Sequence, residues 1–358
     1  MTSVPFWPAP AERYPGRLPE RADVLVIGGG IAGVSLLHHL AHRGMDAVLV
    51  ERKRLASGAS GRNAGFLLAG VASSYEQAIH AYGRHKAREI WGLTNENHDR
   101  LVEAVDGQFI GHRREGSATL AASDAERLQL EESAQLLTED GFKAHWNRRR
   151  RRLTNPRDGE VNPAALVGAL ARLAKRGCIR EGVNVTGLEP GGSEVMVKAG
   201  QDECRAGVVI LATNAYTPLL VPSIKIVPNR AQMLATAMVP TPVCDMPTYS
   251  HFGYRYWRQL ASGQVLIGGW RDTSLNTEIG YLAEPTEQIQ GHLDAKLAQL
   301  APGAQVTHRW AGTMGFTETG LPLVGPVDGM ANVHVCAGFN GHGMGFAFMS
   351  AKQLVDSL

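Results

Sequence analysis

The chain is poor in cysteine, in net charge and in long apolar runs, and each shortage removes a class of protein. Its four cysteines, Cys178, Cys204, Cys244 and Cys336, lie far apart with no C-x-x-C pair. They offer neither a disulfide framework nor a metal knuckle, so free thiols in a reducing cytoplasm are expected, and no metal site. A formal net charge of +2 over 358 residues gives no strong field to draw in nucleic acid. No apolar stretch is as long as a bilayer span, and the first residues lack a charged-then-apolar signal. The expectation is a cytoplasmic protein without a membrane partner. With 44% hydrophobic residues, the core suffices for two domains or one large one.

What is present begins at Ala22. The segment to Arg54 reads ADVLVIGGGIAGVSLLHHLAHRGMDAVLVERKR. Asp23 to Ile27 is a short apolar run suited to a strand buried on both faces. Gly28, Gly30 and Gly33 follow in G-x-G-x-x-G spacing. Ile31, Val34, Leu37 and Leu40 then recur at helical period, and Gly44 suits the helix end. Ala47 to Val50 is a second apolar run, ending on Glu51. Gly28 permits the tight turn, Gly30 lets backbone approach a pyrophosphate, and Gly33 lets helix and strand pack closely. Free N–H groups and the helix dipole from Gly30 through Ile31 and Ala32 to Gly33 favour phosphate charge. Glu51 stands where a carboxylate takes both ribose hydroxyls of an adenosine. The unit binds a dinucleotide; Glu51 and its neighbour Arg52 leave open whether that is FAD or NAD(P).

Residues 1–20 carry five prolines and read as an extended surface arm. Arg54 to Gly70, RLASGASGRNAGFLLAG, is a glycine-serine loop whose backbone is free to close on a flat ligand, with Arg62 and Asn63 as its polar side chains. Residues 73–147 are helix-rich and polar. Arg148 to Arg152 are five consecutive arginines; without interleaved aromatics the run reads as a solvated loop rather than a nucleic-acid patch. Asn162 and Pro163 are the cap and first position of a helix that Gly177 closes. Gly207 to Tyr216 is another buried strand. Arg230–Thr236, His251–Arg258 and Gly263–Arg271 read as antiparallel strands, and Lys296 to Leu300 close a short helix. Gly341 to Gly345 place free N–H groups at the start of a last helix.

Strand, GGGIAG, the Glu51–Arg52 pair and GASGRNAG together resemble the FAD-dependent oxidoreductases of the D-amino-acid oxidase superfamily. The nearest group is that of glycine oxidase, sarcosine oxidase and gamma-glutamylputrescine oxidoreductase. DG-x-V-N-P at Asp158, ATNAYTP at Ala212, GFTETGLPLVG at Gly315 and GFNGHGMG at Gly338 extend the likeness along the chain. The resemblance implies an α/β fold: a Rossmann-type, glutathione-reductase-like FAD-binding domain with a second α+β substrate domain holding a mainly antiparallel sheet. The division expected is 21–75, 150–216 and 305–358 for FAD, and 76–149 with 217–304 for substrate.

The resemblance also implies site residues. Ser57, Ala59, Ser60, Arg62, Asn63, Ala64 and Gly65 run along the flavin, and Val185, otherwise an ordinary strand valine, lies against adenine. Ala212, Thr213 and Asn214 pass the nucleotide, while Gly315, Asn340, Gly341, His342, Gly343 and Met344 close on the flavin ring. His342 is either a donor to the ring or a packing and capping residue. Tyr254, Tyr256, Arg258 and Arg271 are the candidates to line the substrate face, with solvent exposure or stacking within the sheet as the alternative for each.

Three departures from the family pattern qualify this. Met314 stands where amino-acid-oxidising relatives carry a carboxylate-clamping arginine, and the loop's aspartate position is Thr319, with Glu318 one residue early. No cysteine occurs between Arg309 and Gly320, so FAD is expected to be non-covalent. No lysine occurs in Val265–Trp270, which leaves the electron acceptor, O2 or another, open. The function implied is oxidation of a C–N bond in a small-molecule amine or amino-acid derivative, by hydride transfer to flavin N5 and hydrolysis of the imine. The alternatives are an FAD-bearing tRNA-modification domain and a flavin subunit of a larger dehydrogenase complex. The C-terminal glycine block argues against an ordinary NAD(P) dehydrogenase.

Overall fold

Val24 to Ile27 carry no polar side chain, so Arg21–Ile27 takes the interior of a parallel sheet. It pairs in parallel with Ala47–Glu51 on one side and Asp202–Leu211 on the other. In this computed structural model, which describes residues 3–358, the sheet runs Leu323–Pro326, Val333–Ala337, Asp202–Leu211, Arg21–Ile27, Ala47–Glu51, Ile179–Glu181. Its first strand is antiparallel to its neighbour, and a hairpin of Gly187–Gly191 and Glu194–Ala199 extends Asp202–Leu211.

Val24 and Val26 face a core shared with the helices Ile31–His42, Pro163–Arg172 and Gly343–Asp356, while Leu25 and Ile27 face a second core on the opposite side. That alternation is the period of a strand covered on both faces. The helix Pro163–Arg172 starts as expected, with Asn162 Oδ1 accepting the Ala165 N–H at 3.0 Å. The connection in which Val185 lies is irregular, between the strands Ile179–Glu181 and Gly187–Gly191, so Val185 is not a strand residue.

The second sheet runs Val306–Phe316, Val227–Met238, Gln264–Gly269, Arg255–Gln259, Thr248–Ser250, Ser117–Leu120, Arg152–Asn155, His145–Asn147. Every pairing is antiparallel except Thr248–Ser250 with Ser117–Leu120. Helix Glu287–Leu300, longer than expected, seals one face through Ile289, Leu293 and Leu297 against Leu234, Trp257, Val265 and Ile267. Two strands cross the expected division. Arg152–Asn155 and Val306–Phe316, read with the nucleotide domain, belong to this sheet. The second has a physical reason: its ladder with Val227–Met238 holds register from Phe316 to His308 and continues past a bulge to Val306, which satisfies its backbone along nearly its whole length.

His251–Tyr254, read as strand, is a turn with His251, Phe252 and Gly253 at positive φ. The arm does not simply lie on the surface. Trp7 is buried and donates its indole N–H to the Asn63 carbonyl at 2.8 Å. Among the described residues no helix is long and apolar enough to cross a membrane.

Candidate functional site

At the carboxyl end of the first strand, Gly28 turns at φ +116°, a conformation that side chains other than hydrogen resist. A Cβ on Gly33 would strike the Gly28 carbonyl, so the helix rests directly on the turn. Glu51 locks the turn from the next strand, accepting the Gly29 N–H at 2.8 Å and the Lys53 N–H at 2.7 Å. Ser60 Oγ accepts the Ile31 N–H at 2.9 Å. A helix leaves its first four N–H groups without internal partners, so those next to Ile31 remain for a ligand. Arg52 packs its guanidinium on the Tyr216 ring, 4.6 Å from the centroid.

The loop from Ser57 to Gly65 is held by its own polar side chains. Arg62 donates to the carbonyls of Ser57 and Ala311, at 3.0 and 2.8 Å. Asn63 donates to the carbonyls of Ala59 and Ser60 and accepts the Gly65 N–H at 2.7 Å. Both side chains therefore shape the loop, and the surface offered to a ligand is mostly backbone.

The C-terminal turn is fastened in the same way. Asn340, at φ +52°, accepts the Thr317 N–H and donates to the Gly338 carbonyl. Asn214, also at positive φ, accepts the Gly338 N–H at 3.0 Å. Gly315 leaves no room for a side chain, because a Cβ there would meet Ile226 and Asn214. His342 is the N-cap residue of helix Gly343–Asp356, and burial pulls its imidazole below the ordinary histidine range. Its Nδ1 lies 3.4 Å from the Asn340 carbonyl, which can only accept, so the neutral ring turns its one N–H to that carbonyl and leaves Nε2 as an acceptor.

One cavity of about 970 Å³ joins these parts. Gly28 to Ala32, Glu51, Arg52, Ser57, Ala59 to Ala64 apart from Gly61, Val185, Ala212 to Asn214 and Asn340 to Met344 line it. Tyr254, Tyr256 and Arg271 close it from the second sheet. Gly33, Gly65 and Gly315 lie behind the wall, as backbone supports. Arg271 is held between the rings of Tyr254 and Phe316, 4.7 Å from each centroid, and has no carboxylate partner among the described residues.

Arg258 does not line the cavity. Its side chain is 2% exposed and donates through Nη1 to the carbonyls of Ala64, Gly65 and Val161, at 2.8, 3.1 and 3.1 Å. Its Nε lies 3.3 Å from Glu160 Oε2. The residue expected at the substrate face is a buried strut between the loop and the second sheet. Alternation along Arg255–Gln259 puts Tyr256 and Arg258 on the same face, but the cavity ends between them.

Several lining residues have no sequence signal. Phe66, Tyr249, Asp158, Ser117 and Asn155 come from four separate segments and meet on the wall of the cavity. Burial lifts the Asp158 carboxyl to about 7. The arginine run lies apart from this: Arg148, Arg151 and Arg152 pair with Glu131, Asp124 and Asp245 at the surface.

Comparison with known proteins agrees with this arrangement. The profile of the DAO family, described as FAD dependent oxidoreductase, matches residues 23–357. The chain is 25% identical to a probable oxidoreductase OrdL of Rhizobium meliloti (strain 1021), over 94% of this chain and 82% of that protein. It is 25% identical to the gamma-glutamylputrescine oxidoreductase of Escherichia coli (strain K12), over 94% and 83%. The crystal structure of glycine oxidase from Geobacillus kaustophilus superposes with a TM-score of 0.76 at 21% identity, covering 95% of each chain.

Proposed function

Since the chain belongs to the FAD-dependent oxidoreductases of the DAO family, we propose that it oxidises a C–N bond of an amine or amino-acid derivative, giving an imine that water hydrolyses. The observation that carries this is the single cavity in which both glycine turns and the tyrosines of the second sheet meet. The residues present fit FAD. One cavity takes in both helix N-termini, and the loop between them is held by its own side chains and offers mostly backbone. Glu51 and the N–H groups beside Ile31 would hold the adenosine and pyrophosphate, and the Gly341–Gly343 backbone with His342 the flavin ring. Bound there, FAD supplies the acceptor for a hydride from the carbon α to nitrogen.

The protein's share is positioning and charge. Arg271, oriented by two rings and lacking an internal partner, holds a substrate carboxylate in place of the residue that Met314 replaces. Tyr254 and Tyr256 wall the substrate carbon. The backbone N–H groups of Gly341 and Gly343, which have no partner among the described residues, support negative charge that develops beside the turn.

Anaerobic titration of the yellow holoprotein against amines, N-methyl amino acids and polyamine derivatives tests the proposal. At least one class should bleach the flavin. A protein that takes up FAD yet bleaches with none of them does not have this activity.

A further inference from the structure

On the wall of the cavity, three aromatic rings face one another edge to face. Phe66 lies 5.3 Å from Tyr249 and 6.1 Å from Tyr256, and the two tyrosines are 5.7 Å apart, centroid to centroid. All three line the cavity, and neither tyrosine hydroxyl has a hydrogen-bond partner among the described residues. Gly268 makes this possible, because a Cβ there would collide with the Tyr256 ring.

Asp158 lines the same cavity and is 4% exposed. Its Oδ1 accepts from the Ala69 N–H and Asn155 Nδ2, both at 2.9 Å, and its Oδ2 from Ser117 Oγ at 2.6 Å. Every one of these donors is neutral. The other buried glutamates are provided for: Glu160 by Arg113 and Arg258, Glu181 by Arg13 and Arg54, Glu278 by Arg230. Glu126 caps the helix Asp124–Glu139 and binds two backbone N–H groups. Among the described residues Asp158 has no cation in ion-pair contact and no helix start; Arg114, paired with Asp99, acts on it only from a distance. A buried carboxylate without a positive partner costs stability, and it stands beside three ring faces of the kind that attract organic cations.

We propose that Phe66, Tyr249, Tyr256 and Asp158 form the subsite that receives the substrate nitrogen as an alkylammonium cation. A carboxylate has about four acceptor positions, and three are filled, so one N–H finds a partner at Oδ2 while N-alkyl groups rest on the rings. When the N–H proton passes to Oδ2, the N–H bond breaks, an O–H bond forms, and the electron pair stays on nitrogen. That neutral amine is the form C–H oxidation requires. Burial, which lifts the Asp158 carboxyl toward neutral pH, lets it keep that proton.

This rests on amine oxidation as the protein's function, and the test separates the two. Calorimetric titration of the FAD-loaded protein uses three probes. Tetramethylammonium has no lone pair and is not oxidised, methylammonium has three N–H groups, and neopentyl alcohol is neutral and of similar shape. The wild type should bind tetramethylammonium about tenfold more tightly than neopentyl alcohol. Asp158→Asn should erase the preference over the neutral probe. Tyr249→Leu, which stays apolar, should weaken the cation and leave the alcohol unchanged; it decides the matter if Asp158→Asn does not fold. Equal binding of all three probes, or a preference that survives both substitutions, overturns the subsite even where amines are turned over. A preference that behaves as stated in a protein that bleaches with no amine overturns the function instead.

Discussion

Replacing Arg258 with methionine separates a strut from a substrate clamp. The guanidinium is fully enclosed, spans the carbonyls of Ala64, Gly65 and Val161, and faces Glu160 at 3.3 Å. Methionine fills similar volume but leaves the Ala64 and Val161 carbonyls and part of one carboxylate unpaired, while the Gly65 carbonyl keeps the Val161 N–H. Glu160 keeps Arg113, so the loss lies at about 3–5 kcal/mol, the range for breaking one side of a buried ion pair. At this chain length that lowers Tm by roughly 4–7 °C. The freed Ala64 carbonyl belongs to the loop along the cavity, so FAD affinity should fall as well. Thermal melts followed by circular dichroism, with and without added FAD, measure both. The ratio of KM for a carboxylate-bearing amine to KM for its methyl ester should not change, because the guanidinium stops short of the cavity. A variant that melts within about 2 °C of wild type while that ratio rises would refute the reasoning.

Other outcomes follow from the same geometry. Glu51→Ala should raise the Kd for FAD roughly 100-fold, the worth of two charge-assisted hydrogen bonds, with a smaller loss in urea stability; fluorescence titration of apoprotein reads the first. Arg271→Ala should raise KM for carboxylate-bearing substrates roughly tenfold or more with kcat little changed, and leave carboxylate-free amines alone. Acid precipitation should release all the FAD, and a yellow pellet would contradict a dissociable cofactor. Asp158 holds its proton more tightly folded, at about 7, than unfolded. Its contribution is complete below the unfolded value and is lost as pH rises through the folded one. The stability of the empty wild type relative to Asp158→Asn should therefore fall between about pH 5 and about pH 8. Parallel urea curves at the two pH values would remove Asp158 from that account.

The nucleotide unit was legible because every signal in it is local. Glycine spacing, helical period and the terminal acid occur within Ala22 to Arg54, and Arg21–Ile27, Ile31–His42 and Ala47–Glu51 form where the pattern puts them. The second sheet was legible only in part. Val227–Met238 and Gln264–Gly269 contain apolar runs, buried almost throughout, but the sheet to which Val306–Phe316 belongs is decided by a partner 70 to 90 positions away in sequence, roughly, and no periodicity reports that. Arg258 shows the limit most plainly. A strand's alternation gives the face of a side chain and not the depth at which a cavity ends. Asp158 was read as part of a helix-starting motif, and its place beside Tyr249 follows from the pairing of Ser117–Leu120 with Thr248–Ser250 and Arg152–Asn155.

The helix Gly343–Asp356 is stitched to the nucleotide helix, where His39 Nε2 bonds to the Phe348 carbonyl across 309 positions, and to the helix Arg84–Ala104, whose Asn97 accepts the N–H groups of Phe348 and Met349. During translation, then, the wall made by the first glycine turn emerges early, and the cavity stays incomplete until Asn340 to Gly345 leave the ribosome. Its closure is thereby a late event, and a nascent chain stalled before residue 340 lacks that part of the lining.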